Sequence, residues 1–223
     1  MDKPKVTLYM GQCGAGKSYY LQHLILNMIS PLMKKSQEES EHLSVFAGVD
    51  WPDLSYSSIP NFVMKRSAVD VTHNEMLAEW ISYIEELRQE EGIKTVVFDD
   101  VLDLSVFQEI YEHANETFHF IVSAEYIDET LFDWMSENVD EYMIGKLSQP
   151  DEKRLVTLFD DNLSLDAIIA YSKRDADIRF FRLPSVAELR NDGRILNSKF
   201  YWNSKTAILW WNPGIQQYEW RRA

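Results

Sequence analysis

Near the start of the chain stands the stretch Lys5-Val6-Thr7-Leu8-Tyr9-Met10-Gly11-Gln12-Cys13-Gly14-Ala15-Gly16-Lys17-Ser18. It opens as a short apolar run of strand type and passes through a glycine-rich turn. Residues 17–34 then carry helical apolar spacing through Leu21, Leu24, Ile25 and Met28. Strand, loop and helix in that order are the setting in which G-x-x-x-x-G-K-[ST] grips a phosphate. Small residues let backbone N–H groups wrap the anion at a helix N-terminus. The nucleotide-binding set read from this stretch is Gly11, Gln12, Cys13, Gly14, Ala15, Gly16, Lys17, Ser18 and the adjoining Tyr19. Lys17 is expected to reach the β- and γ-phosphates, and Ser18 to ligate Mg²⁺. Cys13 contributes its small size and its backbone N–H.

Working outward, residues 44–49 and 61–65 are short apolar runs bounded by Pro52, Pro60 and polar residues, and each reads as a strand. Thr72 and Glu75 form a capping-box signature ahead of Leu77, Trp80, Ile81, Ile84 and Leu87, which share one face of a helix stopping near Gly92. Residues 94–98 and 118–122 are continuous apolar strands, with a crossover helix expected over 105–114. The alternation continues with a helix over 129–136, a strand over 141–147 and a helix from Pro150 to Phe159. A short helix over 165–171 and a strand over 178–183 follow, and residues 199–211 alternate like a hairpin turning near Asn203-Ser204. The fold class expected is α/β: a mostly parallel sheet with helices on both faces and an antiparallel hairpin appended at the C-terminal end. One domain over 1–223 is expected, with its core in 1–183 and a hairpin and tail in 184–223.

The second chemical signal is Thr95-Val96-Val97-Phe98-Asp99-Asp100, an apolar strand ending in two acids, which resembles a Walker B segment. Asp99 reads as the metal-side carboxylate and Asp100 as the candidate base for an attacking water. Two strand candidates lie between this segment and the phosphate loop, leaving room for an extra strand between the two in the sheet. That arrangement marks additional-strand ATPases, and with no N-K-x-D guanine-reading motif the expected ligand is ATP with Mg²⁺. Ser123, at the end of the next strand, is the candidate sensor of the γ-phosphate or water, and Glu125 competes with it. An arginine from a neighbouring subunit commonly completes such sites. Arg174, Arg179 and Arg182 are the candidates.

Net charge of −14 over 223 residues argues against a chain that coats nucleic acid by bulk electrostatics. No apolar run approaches the ~20 residues needed to cross a bilayer, so the expectation is a soluble, cytoplasmic or virion-associated protein without a membrane span. A single cysteine excludes an internal disulfide. The five histidines show no close metal-ligand spacing. Tyr201, Trp202, Trp210, Trp211, Tyr218 and Trp220, followed by Arg221-Arg222, could pack as core, anchor an interface or stack on bases.

The order GQCGAGKS, two strands, a long helix, VVFDDV and FIVSAEY resembles the FtsK/HerA-type P-loop ATPases. Within that group it looks most like the genome-packaging ATPases of membrane-containing icosahedral viruses, and the likeness runs over about residues 5–183. The resemblance implies an ATP-hydrolysing motor acting on double-stranded DNA as a homo-oligomeric ring, with viral portal or vertex proteins as possible partners. Lys17, Ser18, Asp99 and Asp100 inherit the nucleotide roles through it. A P-loop ATPase switch in assembly or partner remodelling is the alternative function, and a small-molecule kinase a further one.

Overall fold

The computed structural model describes residues 3–18, 20, 21, 24, 25, 41–47, 62–66, 73–159, 164–166, 179–182, 207–212 and 217–222. Its main sheet is built from β1 (Lys5–Met10), β2 (His42–Ala47), β3 (Phe62–Arg66), β4 (Lys94–Asp99), β5 (Phe118–Ala124), β6 (Glu141–Ile144) and β7 (Arg179–Arg182). The strands lie in the order β3-β2-β4-β5-β1-β6-β7, and every neighbouring pair is parallel. Between them run α1 (His73–Arg88), α2 (Leu104–Tyr111), α3 (Phe132–Asn138) and α4 (Gln149–Phe159).

Strand order corrects one expectation. The two strands that precede β4 in the sequence, β2 and β3, lie on its far side and do not separate it from β1. The strand inserted between β1 and β4 is β5, which comes later in the chain. The physical reason is the crossover: α2 carries the chain from β4 to a parallel neighbour, and β5 thereby fills the gap beside β1.

Both faces of the central strands β1, β2, β4 and β5 are buried, as a parallel sheet requires. On one face Val6, Leu8, Met10, Phe46, Val96, Phe98, Phe120 and Val122 join a core with Trp80 and Ile84 of α1 and Phe107 and Ile110 of α2. Phe98 is its hub, stacked on Phe46 with ring centroids 5.0 Å apart and edge-on to Trp80 at 5.7 Å. Side chains alternate along a strand, so the opposite face takes Tyr9, Val45, Val97 and Ile121, all buried. Leu21 and Ile25, one helical turn apart after the glycine-rich loop, are buried as well, and Tyr20 meets Tyr9 at 5.7 Å.

Helix starts follow local chemistry. Ser148 accepts the Asp151 N–H at 3.1 Å while the Asp151 carboxylate takes the Ser148 hydroxyl, a reciprocal cap that opens α4 around Pro150. At the other end of the sheet Lys94 is only 1% exposed. Its ammonium donates to the Glu90 carbonyl at 2.5 Å and to Thr117 Oγ1 at 3.3 Å, tying the turn after α1 to the turn before β5. Burial lowers the Lys94 pKa.

Ala207–Asn212 (β8) and Gln217–Arg222 (β9) pair antiparallel as a separate two-stranded sheet, with Asn212 opposite Gln217. The hairpin expected over residues 199–211 has its turn, near Asn203-Ser204, outside the described residues. Thr72, the expected cap of α1, also lies outside them.

Beneath β1, β5 and β6 sits a polar cluster in which the Thr7 hydroxyl meets His119 Nε2 at 3.0 Å and Glu141 at 3.2 Å. Burial, reinforced by the Lys5 ammonium, lowers the His119 pKa below its ordinary 6.5. The unfolded chain takes up a proton that the folded chain resists. The contribution of His119 to stability is thus complete above its unfolded pKa and is lost as pH falls toward its lower folded value. The apparent Tm of the wild type is expected to drop between about pH 7.5 and about pH 5.5, and that of His119→Gln to drop less over the same interval. Equal slopes in a thermal denaturation series would show that this imidazole does not carry the effect.

Candidate active site

β1 delivers the glycine-rich loop at its C-terminal end, and neighbouring strands hold the loop in place by backbone bonds. The Gly11 N–H donates to the Ala124 carbonyl of β5 at 3.2 Å, and the Gln12 N–H to the Lys146 carbonyl beyond β6 at 2.9 Å. The Gly145 N–H returns to the Met10 carbonyl at 2.8 Å. Gly14 and Gly16 have φ of 79° and 89°, in the left-handed region that L side chains avoid. Gly11 is required for space: a Cβ there would stand 2.8 Å from Ala15 Cβ.

Lys17, 6% exposed, folds back over the loop. Its ammonium donates to the Gly11 carbonyl at 2.5 Å and the Gln12 carbonyl at 3.4 Å. Backbone oxygens of the loop thus satisfy the buried ammonium. Across 81 residues of sequence, Ser18 Oγ lies 3.2 Å from Asp99 Oδ1, and Asp99 is 1% exposed. A serine whose proton goes to a buried carboxylate keeps its oxygen lone pairs for a cation. Hard oxygen donors of this kind suit Mg²⁺, which keeps several waters and takes the rest of its ligands from phosphates. The residues present therefore fit that ion.

Asp100 leaves β4 with φ of 57°, the one residue other than glycine with positive φ among the described residues. Its N–H donates to Ser123 Oγ at 2.8 Å, and its carboxylate is exposed. Ser123 is 3% exposed. One lone pair of its hydroxyl is spent on the Asp100 backbone, leaving the proton to donate elsewhere. Glu125 is exposed at the rim of a cleft of about 170 Å³ that Asp100, Asp103, Ser123 and Tyr126 also line. The Tyr126 hydroxyl donates to the Asp103 carboxylate at 2.9 Å, and that bond raises the phenol pKa. Neither Tyr126 nor Asp103 was singled out by the sequence pattern, because their contact depends on two loops meeting.

The arginines separate. Arg182 is level with Ile144 on β6 and through it with Met10, at the loop's end of the sheet, about 10 Å away across two strand spacings. Arg179 is level with Glu141 and Thr7, toward the opposite end, so the fold does not bring it to this chain's own loop. Arg174 and Tyr19 lie outside the described residues. No helix among the described residues is long and apolar enough to cross a membrane.

No protein-family model matches the chain. No curated protein matches it either. Three solved structures are similar in fold. The DNA-packaging ATPase B204 from Sulfolobus turreted icosahedral virus is 12% identical, with a TM-score of 0.45 over 72% of this chain and 84% of that one. The genome-packaging NTPase B204 from Sulfolobus turreted icosahedral virus 2, in complex with AMP, is 11% identical, with a TM-score of 0.46 over 100% of this chain and 98% of that one. The same NTPase in complex with AMPPCP is 10% identical, with a TM-score of 0.37 over 100% and 99%. Likenesses this remote assign no residue a role.

The Gly11 contact has a testable consequence. Gly11→Ala is expected to lower stability by about 1–3 kcal/mol through overpacking against Ala15 and to weaken nucleotide binding. Ala15→Gly in the same chain should recover most of both, measured by chemical denaturation and by titration with a nonhydrolysable ATP analogue.

Proposed function

We propose that the chain is an ATP-hydrolysing P-loop enzyme of the additional-strand type. The observation that carries this reading is the 3.2 Å contact between Ser18 and Asp99, flanked by Lys17 on one side and Asp100 on the other. A glycine turn with no ligand has no need of a buried carboxylate held on the first turn of its helix. The order β1-β5-β4 supports the type, since the strand ending in Ser123 stands between the phosphate loop and the Asp99 strand.

In this reading the loop's N–H groups and Lys17 bind the phosphates of ATP, and Ser18 with Asp99 holds Mg²⁺. Bound there, such an ion would supply neutralisation of the charge that develops on the phosphates. Asp100 orients the attacking water and takes its proton as the oxygen–phosphorus bond forms and ADP leaves. Ser123 directs its remaining hydroxyl proton toward the phosphate or the water, with Glu125 at the rim of the same cleft.

The larger role proposed is a motor that packages double-stranded DNA as a homo-oligomeric ring. It rests on the sequence resemblance in element order, with viral portal or vertex proteins as its docking partners. In a ring, Arg174, Arg179 or Arg182 of one subunit serves the site of the next. The reading places the protein in the cytoplasm of a host cell or on the virion.

Lys17→Ala is expected to lose ATP binding by at least about tenfold while the fold persists, because the ammonium is a point charge on a loop already shaped by its glycines. Asp100→Asn should keep ATP affinity and lose about 10²-fold or more in turnover, since asparagine tolerates the same left-handed backbone but cannot accept the proton. Isothermal titration and a phosphate-release assay separate the two effects. Wild-type turnover in Asp100→Asn would move the base to Glu125, and undiminished binding by a folded Lys17→Ala would end the assignment. For the motor, turnover should rise with protein concentration and with double-stranded DNA, and the DNA effect should weaken with salt.

A further inference from the structure

Two hydrogen bonds join the loop after β4 to the end of β5, three residues apart on both sides. Asp100 N–H donates to Ser123 Oγ at 2.8 Å, and Tyr126 OH donates to Asp103 Oδ1 at 2.9 Å. The inner bond ends on a hydroxyl that is 3% exposed, where water does not readily take its place. The outer bond lies at the surface, on a tyrosine 53% exposed. Together they enclose the segment in which Asp100 holds a positive φ.

A left-handed aspartate is a local strain that persists only where its surroundings over-determine it. Asp100 begins the turn out of β4, and its N–H points across to β5. With the amide fixed on Ser123 and the chain anchored again at Asp103, the backbone on both sides of Asp100 is held. The carboxylate direction follows from that backbone. Without the inner bond the residue is released toward the ordinary right-handed or extended regions, and its side chain leaves its place in the lining of the cleft shared with Ser123 and Glu125.

We propose that Ser123 and Tyr126 form a two-rung clasp with Asp100 and Asp103, acting as positioning residues that aim the Asp100 carboxylate. The proposal rests on the reading of Asp100 as the group that orients the attacking water. Tyr126 acts wholly through Asp103. Ser123 combines this backbone hold with whatever its remaining proton touches.

Amide hydrogen exchange in the full chain tests the clasp without reference to catalysis. In Ser123→Ala the residue-100 amide should exchange at least about tenfold faster while the Phe98 amide in the β4 ladder stays within about twofold. Tyr126→Phe, which removes one surface hydroxyl and keeps the ring, should accelerate the same amide about threefold. Unchanged exchange at residue 100 in either variant overturns the corresponding rung and with it the two-rung clasp.

Kinetics test the aim. Ser123→Ala should lower kcat about 10–100-fold and Tyr126→Phe about 2–10-fold, while affinity for a nonhydrolysable ATP analogue stays within about twofold. Ser123→Thr, which keeps the hydroxyl, should restore most of kcat. Wild-type kcat in Tyr126→Phe, or affinity falling in step with kcat, would overturn the positioning role. If the wild-type chain does not hydrolyse ATP at all, the enzymatic reading and the aiming role fall together. The exchange rates then decide the clasp alone.

Discussion

Two parallel ladders, β1 on β5 and β5 on β4, carry the site. Their registers set Met10 level with Ala124 and Phe98 level with Val122, so three strands end within a residue or two of one another. The residues of the candidate site stand in the next few positions of each: the glycine-rich loop after Met10, Asp99 and Asp100, and Ser123 to Tyr126. A slip of one residue in either ladder would turn Asp99 or Ser123 into the opposite, apolar layer. The hydrophobic alternation that buries Phe98 and Phe120 on one face is therefore what presents Asp99 and Ser123 on the other.

A carboxylate as buried as Asp99 is costly unless it is hydrogen-bonded. Ser18 meets that need from a helix whose first turn sits at the end of the adjacent loop. The same helix buries Leu21 and Ile25, so the partner of Asp99 and two core residues come from one element. The Lys17 contacts with the Gly11 and Gln12 carbonyls complete this self-satisfied arrangement, in which the loop's own oxygens accept from the buried ammonium. The loop's frame is held independently of these contacts, by the Ala124 and Lys146 carbonyls.

The polar residues divide along the strand direction. At the C-terminal ends stand Ser18, Asp99, Asp100 and Ser123. At the N-terminal ends lie the Thr7–His119–Glu141 cluster and the buried Lys94, each with its hydrogen-bond partners close by. The second group ties turns and strands together and lies far from the loop. The same division separates the arginines of β7, with Arg182 at the site's end of the sheet and Arg179 toward the other.

From the sequence alone, the glycine-rich loop between strand and helix, the acidic strand end and the alternation of strands and helices through residue 159 were legible. Each is written in contiguous residues: glycines where a loop must pack closely or turn left-handed, apolar runs where a strand is buried on both faces, a proline in the first turn of a helix. Strand order was not legible, and the strand beside β1 proved to be the later β5, because parallel strands pair through crossovers that leave no local trace. Nor were the Tyr126–Asp103 and Asp100–Ser123 bonds, which join residues 23 apart. Tertiary structure decided these because a hydrogen bond between loops depends on the register of the strands behind them, and register is a property of the assembled sheet.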